Sequence, residues 1–256
     1  DEIDNVCKKY EIKLVEDASH SFMTQLLRDR DSIKGEIEIF SMRKSLPVFD
    51  GGALRVNNKI YRILKTYNRR HAPIISDIKY LMQRFFERLV TCLGINIYGQ
   101  FINGIKAKLR NKMIHDVYEY RKDTFQLSYQ LKRYLNSEKY LQSTQNKIIN
   151  NFNQLSQALQ VLGFRLLFDS IDDNTIPQAC VVYDDKGGLA NYLRFHGVGA
   201  WQWPGKEIPE EVAQNPTLYP NTILFDKKLV LIPIHQSIDN KKIHYIVKLL
   251  SEWTSS

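Results

Sequence analysis

Four side chains that could take part in catalysis stand near the start of the chain. Asp17 and His20 lie in LVEDASHSF, where an apolar stretch ends on two acidic residues. Ser41 and Lys44 lie in FSMRKSLPVFDGGAL, between a second apolar stretch and a Gly-Gly pair. A carboxylate stabilises a nearby cation, and an amine that has lost its proton is both a nucleophile and a general base. These residue types predict covalent chemistry at a lysine amine.

Short strands must position these residues. Residues 11–18 predict a buried strand that ends at Asp17, and residues 36–41 alternate polar and apolar side chains up to Ser41. An Asp-Gly-Gly turn then leads into a third strand over residues 53–56. In α/β sheets the loops at the carboxyl ends of the strands are the usual ligand sites. The four side chains are therefore expected at one edge of a sheet.

Each of these residues also has a simpler explanation. Asp17 could cap the turn after its strand, and His20 could be an ordinary loop histidine. Lys44 could be a solvated lysine, and the Gly-Gly pair could be no more than a turn. The ordered combination of EDASH, a later SxxK and then DGGAL is more specific than any one of its parts.

The ordered pattern resembles the sugar aminotransferases of the DegT–StrS type, which use pyridoxal phosphate on the fold-type I scaffold. In that family a strand ends in Glu-Asp-Ala, with a His or Gln three residues after the Asp. A further strand ends in a Ser, followed by the Schiff-base Lys and a Gly-Gly turn. The resemblance implies that Lys44 carries pyridoxal 5'-phosphate and is the general base, and that Asp17 holds the ring nitrogen. It also implies that His20 lies against the cofactor ring near its phenolic oxygen and that Ser41 donates a hydrogen bond to the phosphate.

The rest of the chain resembles the family more weakly. Helical periodicity dominates residues 73–162, and strands alternate with helices over residues 163–256. The segments LRFHGVGAWQWPG and LVLIPIHQSI are similar to the family's C-terminal domain, where His235 could face the substrate; a structural histidine at a strand end fits as well. The predicted fold class is α/β. It comprises a partial fold-type I large domain with a mixed or parallel sheet in residues 1–72, a helical connecting region and a small C-terminal α/β domain.

The resemblance begins one helix before the strand that ends at Asp17. The family's first strands, its phosphate-binding helix start and the aromatic residue that stacks on the ring have no counterpart in this sequence. A helix N-terminus is the natural phosphate site. The sequence is therefore predicted to be the C-terminal part of an aminotransferase, and to bind the cofactor poorly by itself.

Positive charge is concentrated in the middle of the chain. Residues 59–147 contain 18 Lys and Arg against 6 Asp and Glu, whereas the segments on either side are slightly acidic. A solvated helical surface explains this charge, and so does attraction for the diphosphate of a nucleotide sugar. Apolar pairs in residues 81–90 opposite a basic face also fit a membrane-surface helix. Nucleic acid is not predicted, because no binding motif accompanies the charge.

Composition indicates a cytoplasmic protein. Cys7, Cys92 and Cys180 are odd in number and widely spaced, which predicts neither a disulfide framework nor a zinc site. No apolar run approaches the roughly 18 residues that a membrane span needs. The predicted function is transfer of an amino group from an amino acid, glutamate being the usual family donor, to a keto-sugar nucleotide in a homodimer. The alternative is a non-catalytic relative or fragment whose basic helical segment acts as a membrane-surface or protein-interaction module.

Overall fold

The structure is a computed structural model in which the described residues form two compact units. The N-unit contains the described residues up to Ser143 and the segment Asp173–Ile176, and the C-unit contains residues 144–172 and those from 177 onward. The described residues are 2–27, 35–48, 51–56, 129–203 and 208–255, together with positions 78, 81, 82 and 85.

The N-unit is built on a mixed sheet of three strands. Its strand order is β1-β2-β3, with β1 parallel and β3 antiparallel to β2. Asp17 lies opposite Ile39, and Ser41 lies opposite Gly52. In chain order the described elements are α1 (Glu2–Lys9), β1 (Val15–Asp17), α2 (Phe22–Gln25), β2 (Ile37–Ser41), a 3-10 turn (Met42–Lys44), β3 (Gly52–Val56), α3 (Tyr129–Leu135) and the start of α4 (Glu138–Val161).

The two faces of this sheet differ in their burial. On one face Glu38 is 1% exposed and pairs with Arg55, its partner across the ladder. The guanidinium of Arg55 also lies over the ring of Phe40. On the other face Ile39 is 41% and Leu54 is 57% exposed. The face that carries Glu38 and Phe40 is thus buried, and the face that carries Ile39 and Leu54 lies open among the described residues.

Strand β1 is shorter and more open than the sequence predicts. It spans Val15–Asp17 rather than residues 11–18, and Val15 is 51% exposed. Within the described part of the chain β1 pairs with β2 alone, so no neighbouring strand covers its second edge. Asp17 therefore ends an exposed strand, and the prediction of a buried one is wrong.

The C-unit contains an antiparallel sheet with helices around it. Strand order is β4-β6-β5, and the central strand β6 has buried side chains on both faces, as its continuous apolar run predicts. After α4, the elements are β4 (Ala179–Tyr183), α5 (Leu189–Phe195), β5 (Trp201–Gln202), α6 (Glu210–Gln214), α7 (Pro220–Lys228), β6 (Leu229–Pro233) and α8 (Asn240–Ser255). The tryptophan-rich segment after α5 contributes β5 to the edge of the sheet.

A buried aspartate closes the turn between β4 and α5. The carboxylate of Asp184 accepts hydrogen bonds from the backbone N–H groups of Gly187 at 2.9 Å and Leu189 at 2.8 Å. Gly187 and Gly188 have φ angles of 82° and 98°, which favour glycine because L side chains crowd the backbone there. The DDKGG sequence thus forms a turn.

The helical middle of the chain is described only in part. Helices α3 and α4 confirm the predicted helices over residues 129–161. No helix among the described residues is long and apolar enough to cross a membrane. Positions 78, 81, 82 and 85 are helical, and their apolar side chains are more than half exposed. Many basic side chains of the positively charged middle segment lie outside the described residues: Arg62, Lys65, Arg69, Arg70, His71, Lys106, Lys108, Arg110 and Lys112.

Candidate active site

Parallel pairing of β1 and β2 brings two predicted site residues to one edge of the N-unit sheet. Asp17 is the last residue of β1 and lies opposite Ile39 of β2. Ser41 ends β2 two residues further on, so it shares a sheet face with Ile39 and Asp17. Ser41 is half-buried, and its side chain does not cap the 3-10 turn that follows.

Lys44 meets His20 at this edge. Its Nζ lies 2.7 Å from Nε2 of His20, and both side chains are exposed. The 3-10 turn holds Lys44 there because Met42 is 5% exposed and its backbone N–H donates to the carbonyl of Gly51 at 3.0 Å. The backbone N–H of Leu46 donates to the carbonyl of Met42 at 2.8 Å and completes the turn.

The carboxylate of Asp17 is held in its charged form. The backbone N–H of Ser19 donates to its Oδ1 at 2.9 Å. Hydrogen bonds from the side chain and backbone of Ser19 lower the pKa of Asp17 below its usual value. Burial opposes this effect, and the positive charges of Lys44 and His20 add smaller decreases. An exposed carboxylate therefore lies within electrostatic reach of the Lys44–His20 pair.

Both packing and backbone conformation favour glycine at the first position of the Gly-Gly pair. Gly51 has a φ of 115°, in the region that favours glycine. A Cβ on Gly51 would collide with the side chain of Leu131, which is completely buried in α3. Glycine here lets the backbone between the 3-10 turn and β3 approach the helix closely.

His235 lies in the C-unit, immediately after β6 and Ile234. Its side chain is exposed, and its backbone carbonyl accepts hydrogen bonds from the N–H of Ile238 at 2.9 Å and from Nδ2 of Asn151 at 3.3 Å. Asn151 also donates to the carbonyls of Ile234 at 3.1 Å and Ile238 at 3.0 Å. The turn that carries His235 is therefore held from inside the C-unit.

Sequence reasoning missed two residues that shape these sites. Ser19 was passed over, although an Asp followed two residues later by a turn residue is typical of a side-chain-closed turn. Asn151 was also missed. Its signal is a polar residue on the apolar face of a helix, among the buried side chains of Ile148 and Leu155.

The N-unit edge combines three complementary functional groups. An exposed amine can form a covalent bond with a carbonyl carbon, a neighbouring imidazole can accept its proton, and a charged carboxylate can stabilise a cation. Among the described residues no group of three His, Cys, Asp or Glu side chains could hold a metal ion. The arrangement suits carbonyl–amine chemistry.

The sequence is similar to those of known aminotransferases. Residues 1–72 match the DegT/DnrJ/EryC1/StrS aminotransferase family. A UDP-4-amino-4,6-dideoxy-N-acetyl-beta-L-altrosamine transaminase from Campylobacter jejuni is 28% identical over 149 residues, which cover 55% of this chain and 39% of that protein. The chain thus matches about two fifths of the length of this curated relative.

Solved structures share the fold over nearly the whole chain. A DegT DnrJ EryC1 StrS aminotransferase from Brucella abortus superposes with a TM-score of 0.56 and 13% identity, covering 99% of this chain and 60% of its own. The ntda protein of Bacillus subtilis, solved with bound cofactor PMP, has a TM-score of 0.55 and 14% identity, covering 99% of this chain and 53% of its own. The chain therefore shares its fold with somewhat more than half of each of these structures.

Proposed function

Residues 1–72 match the DegT/DnrJ/EryC1/StrS aminotransferase family, and from this premise we propose that the chain belongs to this family and that the complete protein is a pyridoxal-phosphate-dependent sugar aminotransferase. Its substrate is a keto-sugar nucleotide, and its amino donor is an amino acid, with glutamate the donor implied by the family. One observation carries the proposal. The amine of Lys44 lies 2.7 Å from the His20 imidazole, within electrostatic reach of the Asp17 carboxylate.

The residues at this edge fit the cofactor. When bound, pyridoxal phosphate supplies an electron sink for the carbon that loses a proton. The lowered pKa of Asp17 keeps a negative charge available to a protonated ring nitrogen. Lys44 is exposed, so its amine can bond covalently and move the proton as general base. His20 and Ser41 are proposed to position the ring and the phosphate.

The finer parts of the proposal concern substrate and assembly. The relative from Campylobacter jejuni is named as a transaminase of a UDP-sugar, which supports a nucleotide-sugar substrate. His235 is proposed as a substrate contact. We also propose a cytoplasmic homodimer in which residues 1–72 are part of the cofactor domain, residues 73–162 connect the domains and residues 163–256 form the small domain.

Absorption spectra of the complete protein test this function. Wild type mixed with pyridoxal phosphate is expected to gain the visible band of a lysine-bound cofactor, and Lys44→Ala is expected to lack it. Arg43→Ala is the matched control, because Arg43 is also a basic, exposed residue of the same 3-10 turn. It should retain the band. Identical spectra for wild type and Lys44→Ala would remove the proposal.

A second candidate function is contact with a membrane surface. The described positions Ile78, Leu81, Met82 and Phe85 are helical and are 52%, 55%, 62% and 62% exposed. Their spacing places all four on one side of a helix. Vesicles with anionic lipid should co-sediment with wild type at low salt and less with a variant that carries Ser at Leu81 and Phe85. Absence of wild-type binding would exclude this function.

A further inference from the structure

The contact between Lys44 and His20 has a geometry that the cofactor role alone does not require. The two residues are 24 positions apart, and the nitrogens Nζ and Nε2 are 2.7 Å apart. Their approach depends on the register of β1 against β2 and on the buried Met42 that anchors the 3-10 turn. The contact is thus positioned by the strands and the turn of the N-unit.

Two nitrogens at this distance share a single hydrogen. Either the Lys44 ammonium donates to the lone pair of Nε2, or an Nε2–H group donates to the lone pair of a neutral Lys44 amine. Both arrangements have the same heavy-atom positions, so a proton can pass between them without movement of either side chain. His20 is therefore placed at the atom of Lys44 that must lose a proton before it can react.

We infer that His20 is the proton acceptor for the Lys44 amine, a role that rests on the proposed function and goes beyond contact with the cofactor ring. In this step an Nζ–H bond breaks, an Nε2–H bond forms, and the electron pair of the broken bond stays on Nζ. That pair then forms a C–N bond with a carbonyl carbon. The carbonyl oxygen leaves as water, with the proton returned by His20 and a second proton from Nζ.

The surroundings of the pair are compatible with this transfer. Asp17 is the acidic group whose carboxylate interacts with the charges of both Lys44 and His20. A nearby negative charge stabilises the single positive charge that the pair carries, whichever nitrogen bears it. Neither side chain is buried, so an incoming aldehyde can reach Nζ.

The experiment measures the reactivity of Lys44 in the complete protein without added cofactor. Trinitrobenzenesulfonate reacts only with neutral amines, and mass spectrometry of the digested protein compares its rates at Lys44 and at Lys139, an exposed lysine of α4. His20→Ala and His20→Gln are each expected to lower the Lys44-to-Lys139 ratio about tenfold. This expected decrease is smaller than the roughly 100-fold minimum typical of general-base catalysis, because water can also accept the proton at an exposed position. His244→Gln makes the same change on α8 and should leave the ratio unaltered.

Comparison of the two His20 variants distinguishes proton transfer from simple positioning. Glutamine can still hydrogen-bond to Lys44, but it cannot take up its proton. A wild-type ratio in His20→Gln, or an unchanged ratio in His20→Ala, would overturn the inference. As a second measurement, the Nε2 signal of His20 in long-range proton–nitrogen NMR spectra should move in Lys44→Met and stay in place in Arg43→Met. An Nε2 chemical shift that is unchanged in Lys44→Met would also overturn the inference.

These results are independent of the absorption test. A protein that shows the expected labelling ratios yet gains no visible band with pyridoxal phosphate would support the Lys44–His20 pair and contradict the proposed aminotransferase. A protein that gains the band but keeps its labelling ratio in His20→Ala would support the aminotransferase and contradict the role of His20.

Discussion

Replacing Asn151 with aspartate is expected to destabilise the C-unit strongly at neutral pH. Asn151 is completely buried in α4, and its amide nitrogen faces three backbone carbonyls, those of Ile234, His235 and Ile238, at 3.1, 3.3 and 3.0 Å. Asn151→Asp preserves the shape of the side chain and exchanges this donor for a charged oxygen. The carbonyl groups of the turn after β6 then lose their hydrogen-bond donor and face a negatively charged oxygen instead.

The magnitude follows from the contacts. An amide NH2 group has two hydrogens, so about two net hydrogen bonds are lost, at about 1 kcal/mol each. Burying an unpaired carboxylate costs about 3–5 kcal/mol when no partner compensates it. Asn151→Asp should therefore lower the free energy of unfolding by at least about 3 kcal/mol, the lower end of that range. Asn151→Leu removes the donor without adding charge and should cost less, about 2 kcal/mol from the two hydrogen bonds.

The pH dependence has a definite sign. Burial beside carbonyl oxygens favours the neutral form of the introduced carboxyl, so its folded-state pKa lies above the value of about 3.9 in the unfolded chain. The folded state then binds more protons than the unfolded state at intermediate pH, and stability falls as pH rises. The destabilisation in Asn151→Asp should therefore shrink on acidification from neutral pH, while that in Asn151→Leu should change little.

Urea unfolding followed by tryptophan fluorescence measures this effect. All three tryptophans, at positions 201, 203 and 253, belong to the same compact unit as Asn151, so the signal reports on the C-unit. Asn150→Asp is the matched control: Asn150 neighbours Asn151 on α4 and is exposed, so the change should stay within about 0.5 kcal/mol. Equal stabilities of Asn150→Asp and Asn151→Asp at neutral pH would refute the reasoning.

Two further changes test the N-unit. The hydroxyl of buried Thr24 accepts from the N–H of Ile176 at 2.9 Å and donates to its carbonyl at 3.2 Å. Thr24→Val should therefore cost about 2 kcal/mol and accelerate hydrogen exchange at the Ile176 amide, whereas Thr24→Ser should retain protection; unchanged exchange in Thr24→Val would contradict this contact. Ser19→Ala should raise the pKa of Asp17 towards its usual value, and by more than Lys44→Met does, because the side-chain hydrogen bond of Ser19 is the largest cause of the lowered pKa. Carbon-13 NMR titration of the Asp17 carboxyl measures both variants, and a larger rise in Lys44→Met would reverse that order.

A lowered pKa also implies a stability dependence for Asp17. Its charged form is favoured in the folded state, so its contribution to stability is present above the ordinary pKa of the carboxyl and is lost as pH falls through the lowered value. Asp17 is exposed, so solvent keeps this contribution small. Its importance lies in the charge that it presents at the edge of the sheet.

Local sequence was sufficient for most of the elements. The apolar run of LVLIPI predicts β6, and helical spacing over residues 129–161 predicts α3 and α4. These signals are reliable because backbone geometry repeats the buried side chains every two residues in a strand and every 3.6 residues in a helix. The ordered EDASH and SxxK patterns also indicated the family whose model residues 1–72 match, since they place chemical groups at fixed distances along the chain.

Burial was harder to predict, as β1 and β2 show. Alternation in residues 36–41 defines two faces but not which one is covered. In the structure Glu38 is 1% exposed and pairs with Arg55 across the sheet, while Ile39 is 41% exposed. A charged residue becomes tolerable inside when a partner strand supplies the opposite charge. That partner is 17 residues away, beyond the reach of local patterns.

The sequence alone therefore determines the strand and helix periods, the glycine turns and the identity of the reactive groups, because these features depend on neighbouring residues alone. Only the tertiary structure decides that Lys44 meets His20 at 2.7 Å and that Asn151 holds the turn bearing His235. Both contacts join residues that are distant in sequence. Strand register and helix packing bring them together, and no local interaction specifies either one.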